Sequence, residues 1–498
     1  MKRLLIFFTV LSAAVCTVSA QVDPNAFNNR MQQMKQRYNQ QKSQARQQYE
    51  SERKRAEQEY ADFRRRANEE YAAAMQRAWQ QMGVEAPIPK PEKPAPPIPP
   101  APAPEKIPTT KPLPQAEVVP PIPKQVPVPA PPIPETDPEI PTMQFTFYGT
   151  DCMVHAQSDD LHFKLSSIDE KGTSEAWTAL SKKDYDGMLH DCLAKREALR
   201  LGDWGYLRLL QSASEELLGA GSNEAVLLQM YLLAQSGYCV RLARCGGRLA
   251  LLVPFSRNIY GYPYISIEGK NYFLLDKSEN TKVSVCNVGY PREQVANILL
   301  TDLPQLESKP QAKRTFSGHR FGTMRAEVGV DKSLIDFMND YPLSDAWDCY
   351  ARAGLSEEVK RDLYPVLRSQ IEGRSQVKAA TMLLDFVQYA FDYATDQVQF
   401  GYERPLFADE SFYYPKNDCE DRSILYSVLV RDLLGLDVVL VNWPGHLGTA
   451  VAFTEEVPGD YYTVDGRRYT VCDPTYIGAG VGETMPNMKH EEAKLVKL

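Results

Sequence analysis

Residues 417–453 read NDCEDRSILYSVLVRDLLGLDVVLVNWPGHLGTAVAF, and this stretch decides the fold of the C-terminal part of the chain. After Cys419, apolar residues recur at the spacing of a helix with one buried face, and Gly435 is placed to end that helix. The apolar residues are Ile424, Leu425, Val428, Leu429 and Leu433. A second apolar run follows Gly445 and is typical of a strand. A helix followed by strands predicts an α+β unit.

The same order of features occurs once more, earlier in the chain, in residues 221–276. In each copy a glycine, Gly247 or Gly445, follows the helix-ending glycine by ten residues. In each copy a second strand then ends at an aspartate, Asp276 or Asp473. Because the internal spacings agree, we expect one α+β unit that is present twice.

Three equivalent positions carry different chemistry in the two copies. The helix start, first strand and second strand hold Cys419, His446 and Asp473 in the second copy, and Asn223, Arg248 and Asp276 in the first. A cysteine attacks as a thiolate, and a helix N-terminus lowers its pKa. An imidazole can take the thiol proton and return it to a leaving amine, while a carboxylate orients the ring. The sequence therefore predicts catalytic residues in the second copy only.

Other interpretations of these residues remain open. Cys419 could belong to a disulfide, and His446 could be a surface turn residue. Asp418, Glu420 and Asp421 lack the loop spacing of calcium motifs, so we expect helix-capping roles, with no metal and no cofactor. Acidic and aromatic residues before the cysteine are expected either to line a substrate cleft or to form a solvated loop. These are Glu403, Asp409, Glu410, Tyr413 and Tyr414.

The segments 418–423, 444–451 and 472–476 resemble the transglutaminase-like superfamily. The resemblance implies a papain-like core with Cys419 as nucleophile, His446 as base and Asp473 as orienting residue. It also implies a thioester acyl-enzyme formed from an amide. The first copy resembles a degenerate member. The β-sandwich domains and calcium sites of the animal cross-linking enzymes are not recognisable here, so the resemblance does not specify cross-linking.

The first twenty residues predict a secretory signal peptide. Lys2 and Arg3 precede an apolar stretch, and Val18-Ser19-Ala20 supplies the small residues at a cleavage site. The stretch is too short to span a bilayer, so no transmembrane span is expected. A lipid anchor through Cys16 is the competing interpretation. We expect an exported protein of the periplasm, cell surface or extracellular space.

The spacing of the cysteines and the distribution of charge argue against two further classes of protein, metal-binding and nucleic-acid-binding. Eight cysteines follow the predicted cleavage site without metal-ligand spacing, and Cys239 and Cys245 are the most plausible local disulfide. The formal net charge is −8, and the excess of acid lies in the C-terminal part. A nucleic-acid binder with one basic face is therefore not expected.

Residues 21–85 predict a long helix or coiled coil. Tyr38, Tyr49, Tyr60 and Tyr71 recur every 11 residues, a period that keeps a stripe on one helix face. We expect helix 27–82 to associate with itself or with a partner; a solvated single helix is the alternative. The proline-rich residues 86–141 are expected to form a polyproline II spacer of up to about 170 Å.

These observations predict an α+β protein with a papain-like transglutaminase core in two tandem copies, at 142–318 (degenerate) and 319–498 (catalytic). The expected function is an exported, cysteine-dependent acyl-transfer enzyme that acts on amide or peptide bonds as a hydrolase, deamidase or cross-linker. Its substrate would be a protein or peptide, including cell-wall peptide. The alternative is a non-catalytic binding or scaffolding protein of the cell envelope.

Overall fold

A computed structural model describes residues 24–90, 110–121, 142–156, 162–183, 185–275 and 282–498, with side chains from residue 32 onward. The predicted signal peptide, most of the predicted proline-rich spacer and Asp276 lie outside the described residues. The chain divides into two units, Met1–Arg64 and Arg65–Leu498. Among the described residues, no helix combines the length and the apolar character that a membrane crossing requires.

The first unit consists of helix α1, which spans Pro24–Met75 and continues into the second unit. Two tyrosines of the stripe are exposed in the first unit, Tyr38 by 64% and Tyr49 by 67%, and so is Phe63, by 60%, three residues after the half-buried Tyr60. Ion pairs at i,i+4 spacing support the helix. They join Arg46 to Glu50, Arg53 to Glu57 and Arg55 to Glu59. The predicted long helix is therefore present, while its association with a partner remains a prediction.

The last turns of α1 belong to the second unit and are packed into it. The Tyr71 ring stacks on Trp177 and on Tyr290, with ring centroids 4.4 and 4.6 Å apart. Asn68 Oδ1 accepts hydrogen bonds from Trp177 Nε1 at 3.2 Å and from the Tyr290 hydroxyl at 2.7 Å. Part of the aromatic stripe thus docks on the chain's own core.

The predicted end of α1 at residue 82 is wrong. The helix ends at Met75, and Trp79–Gly83 form strand β1, which pairs antiparallel with Lys282–Cys286. The reason is tertiary: the strand gains backbone hydrogen bonds, and the Arg244 guanidinium lies 5.1 Å from the Trp79 ring. Such long-range contacts override local helix propensity.

Among its described residues, the N-terminal part of the second unit contains four helices and a six-stranded sheet. The helices are α2 Glu170–Lys182, α3 Asp186–Ala198, α4 Asp203–Leu218 and α5 Asn223–Gln235. The strands are β1, β6 Arg241–Cys245, β7 Arg248–Pro254, β8 Tyr264–Ile267, β9 Lys270–Leu274 and β10 Lys282–Cys286, in the order β1-β10-β6-β7-β9-β8. All these neighbours are antiparallel. A separate hairpin joins β4 Thr142–Phe147 to β5 Thr150–His155.

The C-terminal part contains a seven-stranded sheet in the order β2-β17-β18-β16-β15-β19-β3. Its strands are β2 Lys111–Pro112, β3 Gln115–Val119, β15 Val438–Trp443, β16 His446–Val451, β17 Asp460–Val464, β18 Arg467–Cys472 and β19 Ala493–Lys497. The helices are α6 Lys332–Asn339, α7 Trp347–Ala351, α8 Glu357–Ile371, α9 Gln376–Tyr389, α10 Asp396–Gln399, α11 Glu410–Tyr413 and α12 Cys419–Leu434. Two short pairs, β11 Arg314–Ser317 with β12 Arg325–Val328 and β13 Asp392–Tyr393 with β14 Lys416–Asn417, complete it.

The two sheets share one strand order. Helix α5 is followed by β6-β7-β9-β8, with β10 beside β6; helix α12 is followed by β15-β16-β18-β17, with β19 beside β15. Neighbours within each set of five strands are antiparallel. The prediction of a mixed α+β fold is confirmed.

Both faces of the second sheet are buried, which explains the unbroken apolar sequence of β15. Val438 and Leu440 pack in the core with the helices, whereas Val439 and Val441 pack in a second cluster on the other face. Alternate side chains of a strand point to opposite faces, so a strand covered on both sides is apolar throughout. Helix α12 covers one face, and this packing positions its first turn near the start of β16.

The proline-rich segment is not an uninterrupted spacer. Residues 111–119 supply β2 and β3, which pair parallel with β17 and β19 at the two edges of the second sheet. The run Gln115–Val119 contains no proline, so its N–H groups are available for pairing. The expectation of a polyproline helix is wrong for these residues.

The predicted Cys239–Cys245 disulfide is also wrong. Neither residue forms a disulfide, and both are buried; the same holds for the other described cysteines. Cys245 ends the extended strand β6, and at about 3.3 Å per residue the six-residue separation exceeds the Cα–Cα distance that a disulfide allows.

Candidate functional site

Cys419 is the first residue of α12, as the sequence predicted. Asp418 is the N-cap with an extended backbone, and its N–H donates to Asp421 Oδ2 at 3.1 Å, part of a capping box. Gly435 ends the helix in the left-handed conformation, at φ 65°. Cys419 is 3% exposed, and its thiol donates to Glu420 Oε2 at 2.9 Å.

His446 is the first residue of β16 and is fully buried. The Pro444-Gly445 turn places it opposite Trp443, whose ring stacks on the imidazole with a 5.6 Å centroid separation and a 12° interplanar angle. Gly448 leaves room for this tryptophan, because a Cβ there would lie 2.7 Å from the Trp443 ring. The imidazole is thus fixed in orientation by an aromatic neighbour.

Asp473 follows directly after β18 and holds His446 in place. Its Oδ2 lies 2.8 Å from His446 Nε2, with both side chains buried. Its Oδ1 accepts hydrogen bonds from the backbone N–H groups of Thr475 at 2.9 Å and Tyr476 at 3.3 Å. A carboxylate held by backbone donors keeps the imidazole in one tautomer, with the proton on Nε2.

The second ring nitrogen of His446 has no such partner. Nδ1 is buried and accepts no hydrogen bond from any described residue. Helix α12 meets β16 at this point, because the Ser423 hydroxyl donates to the Leu447 carbonyl at 2.9 Å. Ser423 lies one turn after Cys419, and Leu447 follows His446. The structure therefore brings His446 and Asp473 into contact and places Cys419 on the turn of α12 that precedes the contact with β16.

A cluster of buried carboxyl groups surrounds the start of α12. Their oxygens, with the cysteine sulfur, form three overlapping groups in which the atoms lie within 4.8 Å of one another. The groups are Asp418, Cys419 and Glu420; Asp396, Glu403 and Glu420; and Asp396, Asp418 and Asp421. Oxygen atoms so arranged are of the type that holds a divalent cation. The expected capping role describes Asp418 and Asp421, but it does not account for the whole cluster.

The surroundings favour the neutral form of Asp396, Asp418 and Asp421. Burial, together with the charges of Asp421 and Glu420, raises the pKa of Asp396 to about 10. Burial and Glu420 raise the pKa of Asp421 to about 8, and burial raises that of Asp418 well above its usual range. The charged form of a carboxyl is disfavoured by a low dielectric and by like charges.

Sequence reasoning missed Asp396 and Arg422. Asp396 opens the short helix α10, and its Oδ2 accepts the Arg404 N–H at 2.5 Å. The Arg422 guanidinium is buried and donates to the carbonyls of Gln388 at 3.2 Å and Phe391 at 2.7 Å. Asp396 comes from a separate segment, and no spacing in the sequence links it to Cys419. Arg422 lies one turn after Cys419 on α12, but its burial depends on contacts with residues 388 and 391, which are remote in sequence.

The expectation of a solvated loop before the cysteine is wrong for Asp409 and Glu410, whereas a substrate cleft lined by Glu403, Tyr413 and Tyr414 stays a prediction. Asp409 and Glu410 are fully buried, so the loop is not solvated. Glu410 pairs with the Arg404 guanidinium, and Asp409 Oδ1 accepts the Ser356 N–H at 2.8 Å. Burial raises the pKa of Asp409 to about 6. These acids hold the loop in place by satisfying buried donors.

The equivalent positions of the first sheet are also adjacent in space. Asn223 Oδ1 accepts the Leu249 N–H at 2.8 Å, and Arg248 Nη2 donates to the Gly221 carbonyl at 3.5 Å. Neither position carries a thiol or an imidazole.

Comparisons with protein-family models, with curated proteins and with solved structures gave no match. The resemblance to the transglutaminase-like superfamily therefore depends on the quoted motifs.

Proposed function

We propose that the C-terminal part of this chain is a cysteine-dependent acyl-transfer enzyme that acts on amide or peptide bonds. The observation that carries the proposal is the buried His446–Asp473 pair, with Nδ1 of the imidazole unpartnered, beside the helix whose first residue is Cys419. A nucleophile at a helix start, a base and a residue that orients the base are the components of covalent acyl transfer.

The reaction follows from these roles. His446 Nδ1 takes the Cys419 proton, and the thiolate attacks the carbonyl carbon of the amide. The carbonyl oxygen becomes an oxyanion, which accepts a hydrogen bond from the backbone N–H at the start of α12, where the helix dipole is positive. The imidazolium then protonates the leaving amine, the C–N bond breaks and a thioester forms. Water or a second amine, deprotonated by His446, attacks the thioester and releases the thiol.

Asp473 acts through His446. Its carboxylate stabilises the imidazolium that exists between proton uptake and proton release, and it holds Nδ1 toward the nucleophile. In the described conformation the thiol donates to Glu420. Rotation of the Cys419 side chain from Glu420 to His446 is therefore the first step that we propose.

We also propose that the two sheets arose by duplication of a papain-like unit and that the first copy is inactive. The shared strand order supports the duplication. Asn223 and Arg248, at the positions of Cys419 and His446, support the loss of activity. Export, as the first twenty residues suggest, would bring the enzyme to protein or peptide substrates outside the cytoplasm, including cell-wall peptide.

The test uses a glutamine-containing peptide, with and without an added primary amine, followed by mass spectrometry. Hydrolysis, deamidation and amine incorporation each give a product of different mass. Activity that is lost in Cys419→Ala and retained in Ser174→Ala supports the proposal; Ser174 lies on α2, away from the site. Activity that survives in Cys419→Ala contradicts it.

A second candidate function is supported by three exposed aromatic side chains of the first unit. Exposed Tyr38, Tyr49 and Phe63 on one helix favour a scaffolding role through self-association. Analytical ultracentrifugation of the full chain tests it: replacement of the three residues by serine should lower the molar mass in solution. An unchanged mass contradicts self-association through these side chains.

A further inference from the structure

A cavity of about 200 Å³ lies in the N-terminal part of the second unit. One face of α4 forms a wall of it, through Trp204, Arg208, Gln211 and Glu215. The start of α5 and the first residues of β7, beginning with Arg248, complete the lining. The cavity thus lies at the helix start and strand start that correspond to Cys419 and His446 in the second sheet.

A buried donor in this lining has no acceptor. Trp204 is 2% exposed, and its indole Nε1 makes no hydrogen bond with any described residue. Buried N–H groups are nearly always paired, so an unpaired one that lines a cavity indicates an acceptor atom supplied by a ligand.

One guanidinium group of the lining forms no ion pair with any described residue. Two guanidinium groups and one carboxylate line the cavity. Arg208 Nε is engaged by Asp340 at 2.7 Å, and the Glu215 carboxylate accepts from Gln211 Nε2 at 3.0 Å. Arg248 is exposed, and it forms no ion pair within the described ranges. Its guanidinium is therefore the group positioned to meet a carboxylate.

The remainder of the lining is apolar. Val226, Leu249, Leu251 and Leu275 supply aliphatic surface, and Tyr262 adds an aromatic ring. A cavity of this volume, with aliphatic walls and a few polar groups, suits a small molecule with one hydrophobic arm.

We propose that this cavity binds a small organic carboxylate that carries an apolar arm, such as the C-terminal residue of a peptide. Arg248 pairs with the carboxylate, the Trp204 N–H donates to a carbonyl oxygen, and the aliphatic walls hold the side chain. The first sheet would then have a recognition site at the helix start and strand start where the second sheet has reactive groups. This inference does not depend on catalysis by Cys419.

The test is calorimetric titration of the full chain after its predicted cleavage site with N-acetylleucine, which has a carboxylate, a carbonyl and an aliphatic arm. N-acetylleucinamide is the matched neutral probe. We expect N-acetylleucine to bind at least about tenfold more tightly than the amide, a difference that corresponds to the loss of one charge-assisted contact.

Variants assign the contacts. Arg248→Gln should weaken N-acetylleucine binding by about tenfold or more. Trp204→Phe keeps an aromatic ring but removes the indole N–H, and it should also weaken binding. Arg325→Gln, at an exposed arginine on β12, should leave it unchanged. Absence of binding by N-acetylleucine, equal binding of acid and amide, or full binding in Arg248→Gln would each overturn the proposal. Cys419→Ala serves as a second control and should bind as the unaltered chain does.

Discussion

At the scale of single residues, the thiol of Cys419 is subject to two opposed influences. In the proposed mechanism the helix start and His446 favour the thiolate, whereas burial and Glu420, which accepts the thiol hydrogen bond at 2.9 Å, favour the thiol. We therefore expect the carboxyl cluster to influence how readily Cys419 ionises.

Neutralising Glu420 should increase the reactivity of Cys419. In Glu420→Gln an amide oxygen can still accept the hydrogen bond, but the negative charge is gone, so the thiolate is less disfavoured. We expect the rate of Cys419 alkylation by iodoacetamide at pH 7 to rise roughly 3- to 10-fold. Glu455→Gln, an exposed acid on another loop, is the control and should have no effect. A slower or unchanged rate in Glu420→Gln would count against this role.

Removing the carboxylate of Asp473 should impair catalysis more than folding. Asp473→Asn keeps the acceptor for the backbone N–H groups but no longer stabilises the imidazolium. We expect kcat on a cleaved or deamidated peptide to fall by about 100-fold or more, with little change in KM. The matched variant Asp465→Asn, in an exposed turn, should retain activity. An active Asp473→Asn enzyme would remove Asp473 from the mechanism.

The carboxyl cluster should make stability depend on pH. A carboxyl whose pKa is raised by folding, such as Asp396 at about 10, stabilises the native state below its unfolded pKa. That stabilisation is lost as pH rises from about 4 toward 10, so the free energy of unfolding should fall over this range. Asp396→Asn has no titrating proton at this position, so at about 1.4 kcal/mol per pH unit it should lose up to about 4 kcal/mol less between pH 5.5 and 8.5. Urea unfolding measures this; identical losses in both proteins would contradict it.

At the scale of elements, the described ends of α1 illustrate what sequence patterns can determine. The 11-residue tyrosine period predicted the helix correctly, because a helix face is a local property. Its end at Met75 depends on strand pairing with β10, more than 200 residues later in the chain. Gln115–Val119 likewise lie within the proline-rich part of the sequence, and their strand conformation depends on pairing with β19, which is remote in sequence.

Tyr71 should anchor the end of α1. Tyr71→Ala removes a ring that stacks on Trp177 and Tyr290 and a hydroxyl that donates to the Val288 carbonyl at 3.0 Å. We expect a loss of about 3 to 5 kcal/mol in the free energy of unfolding. Tyr49→Ala, at an exposed position of the same stripe, should cost less than about 1 kcal/mol. Equal effects of the two substitutions in urea unfolding would show that Tyr71 is not an anchor.

At the scale of the whole molecule, sequence reasoning predicted the helix start at Cys419, the glycine end at Gly435 and the mixed α+β class. These depend on capping and periodicity, which are read within a few residues. It did not predict the carboxyl cluster, because Asp396 and Glu403 reach the start of α12 only through tertiary folding. The prediction of a Cys239–Cys245 disulfide is wrong for a related reason: two residues that are close in sequence lie far apart in space when the chain between them is extended.

Several other described cysteines should be far less reactive than Cys419. Burial raises the pKa of the Cys286 and Cys472 thiols to about 12, and it raises the pKa of the Cys349 thiol as well. In the native protein these thiols should remain unreactive, because the thiol form does not attack.

The most direct measurement is the rate of iodoacetamide alkylation at each cysteine of the native protein between pH 5 and 9, mapped by mass spectrometry. We expect Cys419 to react preferentially, and at pH values well below the ordinary thiol pKa near 8.5. We also expect His446→Ala to remove this reactivity at low pH. A Cys419 that reacts only above pH 8.5, at the same rate with and without His446, would contradict the proposed enzyme.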